Sequence, residues 1–208
     1  MRKPRIVYPG AFYHVICRGN NRQAIFRDDA DRLKYLEILS ESRELFQLKL
    51  FAYALMSNHV HLLIQTPDAN ISQAMKWLNW SYCTCFNRRH FSAGHLFENR
   101  FKAKLVQKDK YLLALLRYIH LNPLKAGLCK KTEDYPWTSH RNIMEQDNSL
   151  VEATEVLGLL NSTDAVNAYI EFMAAGPGSD ETELFNKQRS GIIGDKSFRR
   201  HIRLQKVA

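Results

Sequence analysis

The chain has 208 residues, 45% of them hydrophobic, and carries a net charge of +9 at neutral pH. That apolar share is enough for one domain of ordinary size plus an appendage, and it excludes a disordered protein. No apolar run approaches the roughly 20 residues of a membrane-spanning helix, and no hydrophobic stretch follows the first five residues as a secretory signal requires, so a cytosolic protein is expected.

Residues 12–18 are rich in β-formers and predict a first strand, ended by the turn residues Gly19, Asn20 and Asn21 with Arg18 and Arg22 flanking them. A helix follows from Arg27, with acidic residues in its first turn and Leu33, Leu36, Ile38 and Leu39 as its apolar stripe. Residues 49–56 and 59–66 read as two strands joined by a short polar turn. Asn70 is the expected N-cap of a second helix through Met75, Leu78, Tyr82 and Phe86, on which the spacing of Trp77 and Trp80 favours burial.

Around residues 101–106, Phe101, Ala103 and Leu105 alternate with Lys102, Lys104 and Val106, which predicts a fourth strand with a basic face. Residues 109–121 form a third helix with Leu112, Leu115, Leu116 and Ile119 as its core stripe. It is stopped at Asn122 because a residue before proline is pushed out of the α region. The order predicts an α+β fold, an antiparallel sheet with helices packed on it, ferredoxin-like in its first six elements.

Residues 1–145 are expected as the main domain and 146–208 as a C-terminal extension. The extension carries helical stretches at 151–160, capped by Ser149, and 164–174, capped by Ser162 or Thr163. Its basic end, residues 191–208, suits either an arm lying along a nucleic-acid backbone or a solvated tail. Cys17, Cys83, Cys85 and Cys129 are scattered, which excludes a disulfide framework and a zinc knuckle and leaves reduced thiols.

Chemistry concentrates in two places. His59 and His61 are two apart on a strand and therefore share a face, where neutral imidazoles can hold a divalent metal if a third ligand joins them. On the third helix, Tyr118 and Asn122 are four apart and so neighbours on one surface; Tyr111 lies on nearly the same face, and periodicity does not choose between the two tyrosines. An amide oxygen would complement two imidazoles around Mg²⁺ or Mn²⁺, and a tyrosine beside a metal-bound phosphate points to covalent phosphoryl transfer. The cations crowding the middle of the chain point to a polyanionic partner.

His59-Val60-His61, the run from Arg117 to Pro123 and the run from Gly94 to Phe101 together resemble the single-tyrosine HUH transposases, and more narrowly the REP-associated tyrosine transposases. The similarity extends from about Tyr8 to His140, with a looser likeness around residues 192–195. It implies His59, His61 and Asn122 as metal ligands, Mg²⁺ or Mn²⁺ as cofactor, and Tyr118 as the nucleophile that ends as a 5′-phosphotyrosine. The implied activity is cleavage and strand transfer of single-stranded DNA beside an imperfect hairpin, in the cytoplasm and in association with the nucleoid. Members commonly have proline at Ser57 and tryptophan at Phe97.

Arg18, Asn20, Asn21 and Arg22, with Arg100, Lys102 and Lys104, are the expected DNA contacts. Monomer and homodimer both stay open. His14, His95 and His120 read as structural or surface groups. The competing functions are a non-catalytic module that holds hairpin nucleic acid on the same fold, and a metallohydrolase that uses water.

Overall fold

The computed structural model describes residues 5–176, 185 and 191–204. Its centre is a five-stranded sheet in the order β2-β3-β1-β4-β5. β1 (Ala11–Arg18), β2 (Lys49–Leu55), β3 (His59–Thr66) and β4 (Lys102–Val106) pair antiparallel throughout. With α1 (Asp29–Leu45) between β1 and β2, and α2 (Ile71–Arg89) between β3 and β4, this is the expected ferredoxin-like arrangement.

Register decides which residues share a face. Ile16 lies opposite His61, Arg18 opposite His59 and His14 opposite Lys104, so these six side chains emerge on one side of the sheet. Tyr13, Val15, Cys17, Val60, Leu62 and Ile64 emerge on the other, all buried, beneath α1 and α2. There Phe26, Tyr35 and Tyr82 pack ring against ring at centroid separations of 5.0–5.7 Å.

The stripe of α1 is displaced from the expected one. Tyr35, Ile38, Leu39 and Ser42 face inward while Leu33 is 60% exposed. Asp28 caps the helix by accepting from the Asp31 N–H, and Arg89 and His90, at the end of α2, grip Asp28 and Asp31. The start of α1 is thus clamped to the end of α2. Asn70 precedes α2 but does not cap it; its amide donates to the Phe46 carbonyl instead.

α3 (Lys108–His120) crosses the other face of the sheet over β2 and β3, burying Leu112, Leu115, Leu116 and Ile119. A further turn, α4 (Asn122–Lys125), begins at once with proline in its first turn, where a missing N–H costs nothing. Beyond it, α5 (His140–Met144), α6 (Ala153–Gly158) and α7 (Ala165–Ala174) add Ile143, Val156, Leu157, Tyr169 and Met173 to the same buried cluster. α6 starts without a side-chain cap, and α7 is capped by Asp164 rather than by Ser162 or Thr163.

The end of the chain is neither an arm nor a solvated tail over its described part. β5 (Ile192–Ile193) pairs parallel to β4, so the sheet is mixed, and α8 (Lys196–Leu204) follows with Ile202 buried. Asp195 joins them: its N–H donates to Gln107 Oε1, its carboxylate accepts from Gln107 Nε2 and from the Phe198 N–H. Residues 205–208 lie outside the described part.

Candidate active site

On β3, His59 and His61 stand edge to face with ring centroids 4.9 Å apart. His61 is 4% exposed, and α3 places the Tyr118 ring 6.0 Å from it, edge-on. Both rows of β1 are apolar apart from His14 and Arg18, and His14 stacks on His61 at 5.1 Å and meets Tyr118 at 6.0 Å. His14 Nε2 lies 2.9 Å from His61 Nδ1. The residue read from sequence as structural therefore belongs to the site. Its membership depends on β1 pairing with β3 in one register, a long-range fact that local alternation does not carry.

Hydrogen bonds decide which ring nitrogens are available. His59 Nδ1 is 2.7 Å from Asn58 Oδ1, and Asn58 Nδ2 donates to the Arg22 carbonyl, which fixes the amide so that its oxygen faces the ring. An amide oxygen only accepts, so His59 carries its proton on Nδ1 and keeps the Nε2 lone pair. His61 likewise has Nδ1 engaged, by His14. In both rings Nδ1 is the engaged nitrogen, so Nε2 is the atom that could meet a metal.

Burial keeps these imidazoles neutral. It pushes His14 down to about 3, helped by the Lys104 ammonium, and His59 down to about 4, helped by Arg18. His61 falls well below the ordinary histidine range, first from burial and then from His14, His59, Arg18 and Lys104. Tyr118, 8% exposed, is raised by burial, and a side-chain hydrogen bond with Asn122 opposes part of the rise. Asn122 is tied to the Tyr118 backbone as well, its Nδ2 donating to the Tyr118 carbonyl at 2.6 Å.

The residue types fit a divalent cation: two neutral imidazoles on β3 and, just after α3, an amide tied to Tyr118. Among the described residues no three His, Cys, Asp or Glu side chains cluster as a metal site. Tyr111 is half-buried and makes none of these contacts. Two more groups frame Tyr118: the Phe185 ring at 5.1 Å and the Lys125 ammonium 5.3 Å from the ring centre.

The chain's family follows from this constellation together with two comparisons. The family described as "Transposase IS200 like" matches residues 8–122, more than half of the chain. A Haemophilus influenzae protein described as a REP-associated tyrosine transposase is 30% identical over 146 residues, which cover 64% of this chain and 82% of the relative. The chain belongs to the REP-associated tyrosine transposases. The solved structure of a REP-associated tyrosine transposase bound to a REP hairpin shares the fold, with a TM-score of 0.58 at 17% identity, over 72% of this chain and 88% of that one.

In this transposase family member the expected DNA contacts fall into three groups. Arg18, Lys102 and Lys104 share the histidine face, and Lys104 donates to the Phe185 carbonyl. Asn20, Asn21 and Arg22 form one 3₁₀ turn, in which Asn21 and Arg22 take positive φ, and that turn reaches His59 through Asn58. Arg100 lies elsewhere, in a cleft of about 690 Å³ beside α2 lined also by Arg5, Lys76, Trp80, His95 and Phe97. Trp80, expected to be buried, is 67% exposed there. No helix among the described residues is long and apolar enough to cross a membrane.

Proposed function

We propose that the chain is a metal-dependent endonuclease and strand transferase acting on single-stranded DNA next to a hairpin, with Tyr118 as nucleophile. The observation that carries this reading is the convergence of His61, His14 and Tyr118 at 6.0 Å or less with His59 and Asn122 attached. His59 and His61 through Nε2, and Asn122 through its amide oxygen, would hold Mg²⁺ or Mn²⁺. When bound, the ion would polarise the scissile phosphate and offset the charge that builds on it.

Tyr118 attacks phosphorus through its phenolic oxygen. One P–O bond forms to the tyrosine, the P–O3′ bond breaks, and the departing 3′ oxygen takes up a proton, leaving a 5′-phosphotyrosine. One phosphodiester replaces another, so a 3′-hydroxyl can reverse the step and join strands. Burial raises the Tyr118 pKa, so the phenol needs activation at neutral pH, for which the Asn122 hydrogen bond and the nearby cations are placed.

The solved relative is bound to a REP hairpin, and the same class of partner is proposed here; Arg18 and Lys102, with the Asn20 to Arg22 turn, would run along the phosphates. The test is incubation of a single-stranded hairpin oligonucleotide with the full chain and Mn²⁺, followed by a denaturing gel. The expected result is a protein–DNA adduct absent in Tyr118→Phe and retained in Tyr111→Phe. Binding without cleavage would favour the non-catalytic module, and cleavage by Tyr118→Phe a hydrolase that uses water.

A further inference from the structure

His14 has no part in the bond-making above, yet it is 1% exposed on a strand face it shares with Phe12, Ile16 and Arg18. An imidazole buried among apolar side chains needs its polar atoms satisfied. Among the described residues its single hydrogen bond is the 2.9 Å contact from Nε2 to His61 Nδ1, while its Nδ1 is buried without a partner. The ring leaves its own Nδ1 orphaned, yet an apolar side chain in its place would strip the buried His61 Nδ1 of its partner.

Two neutral imidazoles facing each other nitrogen to nitrogen must share one proton between them, and there are two ways to do so. In one, His14 Nε2–H donates, His61 accepts at Nδ1, and the His61 proton sits on Nε2, where it blocks a ligand. In the other, His61 Nδ1–H donates to His14 Nε2, and His61 Nε2 carries a free lone pair. His59 is locked in the second form by Asn58, whose oxygen only accepts. Only a residue able to accept at His61 Nδ1 gives His61 the matching form.

We propose that His14 is the positioning residue of the site: it accepts the His61 Nδ1 proton and so presents His61 Nε2 to the cation. This rests on the metal-site reading of His59 and His61. The two rings are nearly parallel, 18° apart, so the shared hydrogen bond also fixes the plane in which His61 points its second nitrogen. On cation capture the bridging proton lies on His61 and the His14 proton on Nδ1; no proton is gained or lost by the pair.

The experiment measures Mn²⁺ binding to the full chain without DNA by electron paramagnetic resonance, with urea melts as a folding control. His14→Phe keeps a ring and removes the acceptor; His14→Gln restores one. The expected result is a loss of affinity of about 10–100-fold in His14→Phe with partial recovery in His14→Gln, the range usual for ligand-orienting groups. Nitrogen-15 spectra of wild type loaded with Zn²⁺, a diamagnetic probe for the same imidazoles, should place the His61 proton on Nδ1.

A folded His14→Phe that binds Mn²⁺ as wild type does, or a His61 proton found on Nε2 in the Zn²⁺ form, overturns the proposal. If His14→Phe does not fold, the wild-type spectrum decides. If wild type binds Mn²⁺ no better than His59→Ala or His61→Ala, the metal site itself is wrong and the role of His14 falls with it.

Discussion

Two histidine clusters meet α3, one at Tyr118 and one at His120, and they differ in how their ring nitrogens are used. In the first, His14, His59 and His61 form a group in which His59 and His61 each have Nδ1 engaged by the protein. In the second, His120 spends both: Nε2 lies 2.7 Å from Ser139 Oγ and Nδ1 2.9 Å from the Tyr169 hydroxyl. The same hydroxyl reaches His140 Nδ1 at 2.7 Å, and the Tyr53 N–H donates to Ser139 Oγ. One direction of donation runs from Ser139 through His120 and Tyr169 to His140, whose buried Nε2 makes no hydrogen bond and lies 3.8 Å from Glu133.

Both clusters are buried and held neutral, so burial and lowered basicity do not mark a functional histidine. What differs is that His120 has both of its ring nitrogens engaged. The closed cluster holds the last turn of α3 against α5 and α7, aided by Arg117, which donates to the Phe172 carbonyl and lies 4.1 Å from its ring centre. Tyr118, between Arg117 and Ile119, lies on the helical turn this framework holds.

The sharpest way to break the contrast is to exchange the damage. His61→Ala should abolish both adduct formation and Mn²⁺ binding while the protein stays folded, as read by gel and resonance titration. His120→Ala should do the reverse. By opening a cavity and taking one of two partners from each of the buried Ser139 and Tyr169 hydroxyls it costs about 2–4 kcal/mol in urea unfolding, yet Mn²⁺ affinity per folded molecule is kept. Loss of Mn²⁺ binding in a folded His120→Ala would merge the two clusters into one functional unit.

A smaller effect is expected from Asn58→Ala, which releases the His59 proton from Nδ1 and should weaken Mn²⁺ binding about tenfold. Tyr169→Phe, deleting one shared hydroxyl, should cost about 1–2 kcal/mol of stability with adduct formation unchanged at temperatures well below the melt.

Acid tests the two clusters together and should move stability least near neutrality. The folded-state pKa values of His14, His59, His61, His120 and His140 all lie below the ordinary histidine value, so the unfolded chain binds protons first. Stability is then complete above pH of about 6.5 and is lost as pH falls toward the folded values of His59 and His14, about 4 and about 3. Melting temperatures flat from pH 8 to 7 and falling below pH of about 6 are the expected record; a rise on acidification would contradict neutral burial.

The first seven elements were legible because their patterns are local: alternation in β4, the His59 and His61 parity in β3, the leucine stripe of α3. The site was legible in part for the same reason, since spacing along one strand and one helix links His59 with His61 and Tyr118 with Asn122. What escaped depends on partners distant in sequence. Both rows of β1 are apolar, so alternation there does not reveal that His14 faces His61. Trp80 shares the helical spacing of Trp77, and only the packing of α2 shows it turned outward. The Leu33 stripe misled because α1 turns Tyr35 inward, where its ring meets Phe26 and Tyr82.

The parallel strand β5 sets an order of events during synthesis. Gln107 and Asp195, which lock it in place, are 88 residues apart, so β4 is made long before its outer neighbour exists. Until then the backbone N–H groups of Leu105 and Gln107 form an open edge, the kind of surface on which strands of other molecules add. Closing so long a loop is slow. Gly194 makes the closure tight: a Cβ there would come within 2.4 Å of the Phe198 ring, so a larger residue would have to displace that ring from the seam.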